Sequence, residues 1–316
     1  MIQTILSTIL FVGTGFVMLA PQVTVIRKVS EYSVHIMLGM LIFSMAAMVF
    51  NQRKVMYSGL ACTAALCIFL KNASLNTLNY SVVNTESKIN VAHINLGNIS
   101  TAEFEEVLQM FDAEEIDLVS FQELTPDWSM FLHNELNHIY PYHKSEVRID
   151  PFGLAIFSKA PLVESDTFLC DGIPNMNVIV EIDEKNFQVI SSYLVPALDN
   201  KGLDIAAKQL GTIAEKVNDS KTPLLALGEF NMVYWAAEIR SFRAETNLQN
   251  SRRDLVDGNL RVPYDHIFFS EGLECTQFKE IKGQSQNYIG IMGTYQIKKD
   301  EIDFEGIDSQ LSLNES

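Results

Sequence analysis

Cysteine and histidine are scarce in this chain, and basic residues are outnumbered. Four cysteines and six histidines are scattered over 316 residues. No CxxC pair and no His/Cys cluster with zinc-site spacing occurs among them. Cys62 and Cys67 fall inside an apolar run. Cys170 and Cys275 lie in the more polar remainder, where a disulfide between them is open but has no support from spacing. Lys and Arg number 23 against 39 Asp and Glu. Residues 1–71 hold only five of the basic residues (Arg27, Lys28, Arg53, Lys54, Lys71) and one of the acidic ones, Glu31. That leaves 18 basic against 38 acidic residues beyond them, a net of −20. Such an excess opposes non-specific binding to nucleic acid, whose affinity comes largely from neutralising phosphates. A nucleic-acid partner is therefore not expected, although a small phosphorylated substrate held through a metal is compatible. No internal repeat and no low-complexity tract is present.

What the first 71 residues have in place of charge is apolar length. Ile2–Ala20 and Tyr32–Phe50 are free of Asp, Glu, Lys and Arg, and Val55–Leu70 forms a third, shorter run. Each is near the ~20 residues that cross a ~30 Å hydrocarbon core. A cleaved signal peptide is disfavoured, because the first run lacks a basic start and two further runs follow. The expectation is three transmembrane helices over residues 1–71 and an integral membrane protein. Arg53 and Lys54 oppose Arg27, Lys28 and Lys71, so the charge rule does not orient the spans. Three spans starting inside would make the soluble domain extracytoplasmic.

Residues 72–87, rich in Asn and Ser, read as a polar linker. From residue 88 to 297 the pattern is α/β, and residues 298–316 form an acidic tail. Strands are expected at Ile89–Leu96, Asp117–Phe121, Gly153–Ser158, Pro223–Leu227 and Ile267–Phe269. Val178–Ile182 and Phe187–Tyr193 read as a hairpin turning at Asp183–Lys185. Helices are expected from about Ala102 to Ala113, capped by Ser100 or Thr101, and over Leu203–Val217.

Three of these strands end in polar residues suited to a metal or phosphate: Asn95, Gln122-Glu123, and Glu229-x-Asn231. Alternation puts Glu229 and Asn231 on one face, with Phe230 on the other. Carboxyl ends of strands are where open α/β sheets gather their ligands. Oxygen donors without Cys or His suit Mg²⁺, Mn²⁺ or Ca²⁺. A solvated cap is the plain reading of any one of these acids; their recurrence at successive strand ends favours a site.

The succession INVAHINLGN, DLVSFQEL, FGLAIFSKAPL, FQVISSYL, PLLALGEFN and PYDHIFFS resembles the endonuclease/exonuclease/phosphatase superfamily over roughly Lys88–Ile297. The resemblance implies a four-layer α/β sandwich, two packed mixed sheets flanked by helices, with a divalent-metal phosphoesterase pocket at one rim. It also implies roles. Glu123 matches the metal-ligand glutamate, and Asn95 the asparagine that orients metal and phosphate. Asn231 matches the asparagine that supports the scissile phosphate, and Asp265 the aspartate that orients a catalytic histidine. Four positions depart from the pattern. Glu229 stands where an aspartate usually positions the attacking water, and its extra methylene is a displacement of about 1 Å, a scale on which positional catalysis loses ~100-fold. Tyr193 stands at a position usually His. The closing Ser-Asp-His motif aligns with Thr294-Tyr295-Gln296, so Tyr295 replaces a metal-binding aspartate and Gln296 the main catalytic histidine. An amide cannot carry the proton or charge of an imidazolium.

Two expectations follow from these replacements. In one, a membrane-tethered pseudoenzyme holds Mg²⁺ or Mn²⁺ weakly or not at all and works by binding a protein partner or ligand. In the other, the domain is an active divalent-metal-dependent phosphoesterase with an altered site, hydrolysing a lipid, a sugar phosphate or a nucleic-acid phosphodiester.

Overall fold

The computed structural model describes residues 1–19, 24–74, 79–83, 88–253, 260–283 and 287–298. The N-terminal region is four helices: α1 (Ile2–Leu19), α2 (Thr24–Glu31), α3 (Ser33–Val49) and α4 (Arg53–Ser74). α1 and α4 are each long and apolar enough to cross a membrane. α2 and α3, bent by 72° at their break, count as a third span if taken as one. The short basic helix α2 was not foreseen, and α4 continues past the expected boundary through Asn72 to Ser74.

Among the described residues, the remainder contains twelve strands and four further α-helices. In chain order these are β1 (Lys88–Asn95), α5 (Thr101–Ala113), β2 (Leu118–Gln122), α6 (Pro126–Leu136), β3 (Tyr142–Glu146), β4 (Leu154–Ser158), β5 (Leu162–Cys170), β6 (Ile173–Ile182) and β7 (Lys185–Ser192). Then come α7 (Asn200–Asn218), β8 (Leu224–Glu229), α8 (Ala237–Thr246), β9 (Gln249–Asn250), β10 (Asp265–Phe269), β11 (Leu273–Lys282) and β12 (Tyr288–Ile297). They form two six-stranded mixed sheets, ordered β11-β12-β1-β2-β4-β3 and β5-β6-β7-β8-β10-β9.

Local chemistry explains the elements that were expected. Ser100 caps α5 through a complete capping box with Glu103, satisfying two orphan donors of the first turn. The β6–β7 hairpin turns at Asp183 and Glu184, both at positive φ, as the right-handed strand twist demands of a two-residue turn. Val91, Val178, Val189, Leu225 and Ile267 meet between the sheets. α5 and α6 cover the outer face of the first sheet through Phe104, Phe111 and Leu132. α7 and α8 cover the second through Ile213, Ile239 and Phe242. The result is the four-layer sandwich. β3, β5, β9, β11, β12, α6 and α8 were not anticipated.

The helical region is not held to this sandwich by a linker alone. Val17, Val34, Leu70 and Ala73 join the same apolar cluster as Leu194, Trp235 and Phe242. Trp235 donates its indole N–H to Ser30 O at 2.8 Å, and the Arg243 guanidinium donates to Ser74 O at 2.8 Å. Cys170 and Cys275 are buried free thiols in different sheets, not a disulfide. The acidic tail from 299 onward lies outside the described residues.

Candidate functional site

β1, β2 and β8 are buried almost throughout, so their interiors are apolar and their polar residues gather at the ends. Asn95 pairs with Gln122 in the parallel β1–β2 ladder. Gln122 reaches across to the other sheet. Its amide donates to Ser192 O at 2.7 Å, and its carbonyl accepts the Glu229 backbone N–H at 2.9 Å. The hydroxyls of Ser120 and Ser191 meet at 2.7 Å one step deeper. Gly228 permits this approach. Its φ is +139°, and a Cβ there would lie 2.0 Å from Ser192 O. Only glycine takes up that conformation and that space.

The two sheets therefore bring Asn95, Glu123 and Glu229 to one point. The Asn95 side-chain carbonyl accepts the Gly97 N–H at 2.8 Å, which turns its amide nitrogen toward the carboxylates. That nitrogen donates to Glu123 at 2.9 Å and to Glu229 at 2.6 Å. Glu123 and Asn231 both adopt left-handed backbone, at φ +58° and +51°, a conformation rare outside glycine and concentrated at functional sites. Tyr193 lies alongside, its hydroxyl 3.4 Å from Glu123. Asn231 donates to Leu194 O at 2.9 Å.

Behind this group sits a buried charged network. Asp265, directly opposite Glu229 in the β8–β10 ladder, is 3% exposed. One oxygen is 3.4 Å from His93 Nε2, and the other accepts the Tyr288 hydroxyl and faces Arg261 at 3.4 Å. The Arg261 guanidinium stacks on the Tyr288 ring at 3.3 Å and also reaches Glu280. Burial alone would raise the Asp265 pKa. The hydrogen bond and charge of His93, with Arg261 and Tyr288, outweigh it and hold the carboxyl below its ordinary range. Glu229 goes the other way. Burial first, then the charges of Asp265 and Glu123, push it up to about 7 against the pull of Asn95 and Arg261. His266 is a core residue, bonded to Met232 O and driven down to about 3 by burial.

Of the expected residues, Asn95, Glu123, Tyr193, Glu229, Asn231 and Asp265 gather at this end of the sandwich. Gln296 and Tyr295 do not. β12 runs antiparallel to β1, so Gln296 pairs with Lys88 and Tyr295 with Ile89, at the end of β1 farthest from Asn95. Gln296 bonds Val82 O and Glu274, and Tyr295 meets Ser251 in the core. The beginning of β12, not its end, reaches Asp265, and Tyr288 stands there. The antiparallel pairing of β12 with β1 puts it there, and no local signal in the sequence gives that direction. Nothing local marks His93 or Arg261, which reach Asp265 through pairings distant in sequence.

The endonuclease/exonuclease/phosphatase family model matches residues 89–281, more than half of the chain. The chain belongs to that family. Solved structures agree at the level of fold. A family protein from Bacteroides vulgatus superposes with TM-score 0.56 at 13% identity, covering 67% of this chain and 100% of that one. One from Beutenbergia cavernae gives 0.56 at 14%, covering 66% and 72%. The human Nocturnin catalytic domain with bound sulfate gives 0.53 at 15%, covering 69% and 98%. No curated protein matches by sequence.

Divalent metals are common in enzymes of this family, and this domain offers one a small set of oxygen donors. Glu123 and Glu229 share an amide from Asn95, and Glu123 rests where a Cβ on Gly97 would lie 2.2 Å from its oxygen. No group of three or more His, Cys, Asp or Glu able to enclose a metal occurs among the described residues. The two carboxylates, oriented by the Asn95 N–H groups, fit a hard cation that keeps most of its water, as Mg²⁺ does. They do not fit an all-protein cage.

Proposed function

We propose that this family member is a membrane-anchored phosphoesterase whose pocket takes a phosphate ester together with Mg²⁺ or Mn²⁺. The observation that carries the reading is the meeting of Glu123 and Glu229, from opposite sheets, on one Asn95 amide. Glu123 would hold the cation, which when bound neutralises charge developing on the phosphate, and Asn95, the other expected ligand, orients the carboxylates through its amide N–H groups while its carbonyl is taken by Gly97. Glu229, raised to about 7, is a base matched to neutral pH for taking the proton of the attacking water. Asn231 and Tyr193 line the phosphate side as neutral hydrogen-bonding groups. Arg261, 26% exposed beside Asp265, brings positive charge to the same end of the sandwich. Anchoring through α1, the α2–α3 pair and α4 belongs to the same proposal, with the domain extracytoplasmic.

The test is hydrolysis of bis-nitrophenyl phosphate by the full chain in detergent with Mg²⁺ or Mn²⁺. Metal-dependent turnover that disappears in Glu123→Ala supports the reading; turnover unchanged in Glu123→Ala overturns it. A second reading, a pseudoenzyme that binds a ligand or protein partner without turnover, is favoured by one observation. Neither buried histidine near the site opens to the pocket: His93 is sealed behind Asp265 and His266 faces Met232. Millimolar Mg²⁺ affinity by calorimetry with no hydrolysis would select it.

A further inference from the structure

We propose that the pocket opens onto the surface of the bilayer crossed by α1, α3 and α4, and that its substrate is a phosphate ester carried by a membrane amphiphile. This rests on the phosphoesterase and anchoring readings above. It adds the direction in which the pocket faces, and selects the lipid among the substrate classes open to such a site.

The first support is where the helices attach. α2 is bent by 72° from the span α3, so it lies across the end of that span, at the depth of the interface. Its residues hold the site end of the second sheet. Arg27 donates to Ala197 O, four residues beyond Tyr193. Ser30 O accepts the indole of Trp235, in the segment that follows Glu229 and Asn231. Glu31 accepts the Tyr264 hydroxyl at 2.7 Å, and Tyr264 immediately precedes Asp265 while its carbonyl accepts the Phe230 N–H. The three segments that carry Tyr193, Glu229 and Asp265 are thus each tied to one interfacial helix. Tethering elsewhere, at the opposite end of the strands, would have turned the pocket to bulk water.

The second support is independent of the tether. Apolar side chains stand exposed on other loops at the same end of the sandwich. Ile149, 94% exposed, tips the β3–β4 loop, whose Arg148 N–H bonds Leu124 O beside Glu123. Leu198, 69% exposed, follows Ala197. Leu169, 62% exposed, flanks the β5–β6 turn, which the pairing of Asn175 with Ser192 puts at the Tyr193 end. Scattered surface leucines need no explanation. Three exposed apolar side chains on separate loops at the site end of the sandwich, the end that α2 ties down, match the way interfacial elements bury side chains at the headgroup and acyl boundary. An acidic domain gains nothing from long-range attraction to anionic lipid, so apolar contact and covalent tethering must supply the docking.

The experiment uses the full chain in vesicles of phosphatidylcholine and phosphatidylglycerol in equal parts. Two arms run in parallel, release of phosphorylated or free head groups from the lipid and hydrolysis of dissolved bis-nitrophenyl phosphate. In a Cys67→Ser background, a fluorophore is placed through Ile149→Cys or, at the remote β6–β7 turn, Glu181→Cys, with nitroxide on the lipid head groups. We expect quenching at position 149 several times that at 181, lipid hydrolysis above soluble-ester hydrolysis, and a loss of about tenfold in their ratio in Ile149→Asp. Equal quenching at both positions overturns the placement whatever the activity. Quenching confined to 149 with hydrolysis of the soluble ester alone overturns the substrate class. Quenching confined to 149 with no hydrolysis in either arm overturns the phosphoesterase reading and leaves the placement standing.

Discussion

Glu229→Gln should weaken the loss of stability that rising pH brings to this protein. Glu229 titrates near 7 in the fold against 4.5 when unfolded. Its neutral form therefore contributes stability fully present below about pH 4.5, and that contribution is lost as pH rises through about 7. At 1.36 kcal/mol per pH unit the gap is about 3 kcal/mol, reduced to about 2 because the side chain is partly open to water. Glutamine is neutral throughout and still offers Asn95 an acceptor, so the variant keeps the contact without the penalty. For a domain this size about 2 kcal/mol is about 4–8 °C in Tm. The assay is the Tm of the full chain in detergent at pH 5 and pH 8, free of divalent ions. Wild type should lose several degrees across that window, and Glu229→Gln should lose less by about 4–8 °C. Asp265 does not interfere, since its pKa is lowered and its contribution is lost only below pH 4. Added Mg²⁺ at ten times its Kd should restore about 1.4 kcal/mol to wild type at pH 8 and less to the variant. Identical pH dependence in the two proteins would refute both the raised pKa and its origin in the Glu123–Glu229–Asp265 cluster.

Other substitutions probe the frame around that cluster. Gly228→Ala puts a Cβ against Ser192 O at a φ of +139°; we expect a loss of at least about 3 kcal/mol, seen as a large fall in Tm. Gln122→Leu orphans the Glu229 N–H and Ser192 O between the sheets, and should cost about 2–4 kcal/mol by thermal denaturation. Gln296→His should leave any phosphatase rate unchanged, because the residue is at the far end of β12. Tyr295→Asp should destabilise by several kcal/mol, since the site is fully buried and an unpaired carboxylate there finds no water. A fragment starting at Asn72 uncovers Trp235 and Phe242, so it should aggregate or bind a hydrophobic dye where the full chain in detergent does not.

The local signals that proved readable were those in which neighbouring residues decide the outcome. Uninterrupted apolar runs such as Leu224–Leu227 marked strands buried on both faces, and Ser100 with Glu103 marked a helix start. Asn95, Glu123 and Glu229 stood out as candidates because each lies within two residues of the end of an apolar run. Apolar length alone likewise identified helices able to cross a membrane, although the boundary at Ser74 and the bend before Ser33 depend on contacts with the domain.

What sequence could not decide was which ends of which strands meet. Alternation along Tyr288–Ile297 is the same whichever way the strand is laid against β1. Only the antiparallel pairing sends Gln296 away from Asn95 and brings Tyr288 to Asp265. His93 reads as an ordinary strand residue until the second sheet packs over it and supplies Asp265, 172 positions later. The raised pKa of Glu229 has the same origin, because it depends on burial between sheets and on the carboxylates of Asp265 in β10 and Glu123 just beyond β2. The composition and the strand-end acids were thus determined by the sequence itself. The register between distant strands, and the electrostatics of the site that it creates, arose only in the folded structure, where low-dielectric packing makes charges from separate strands feel one another.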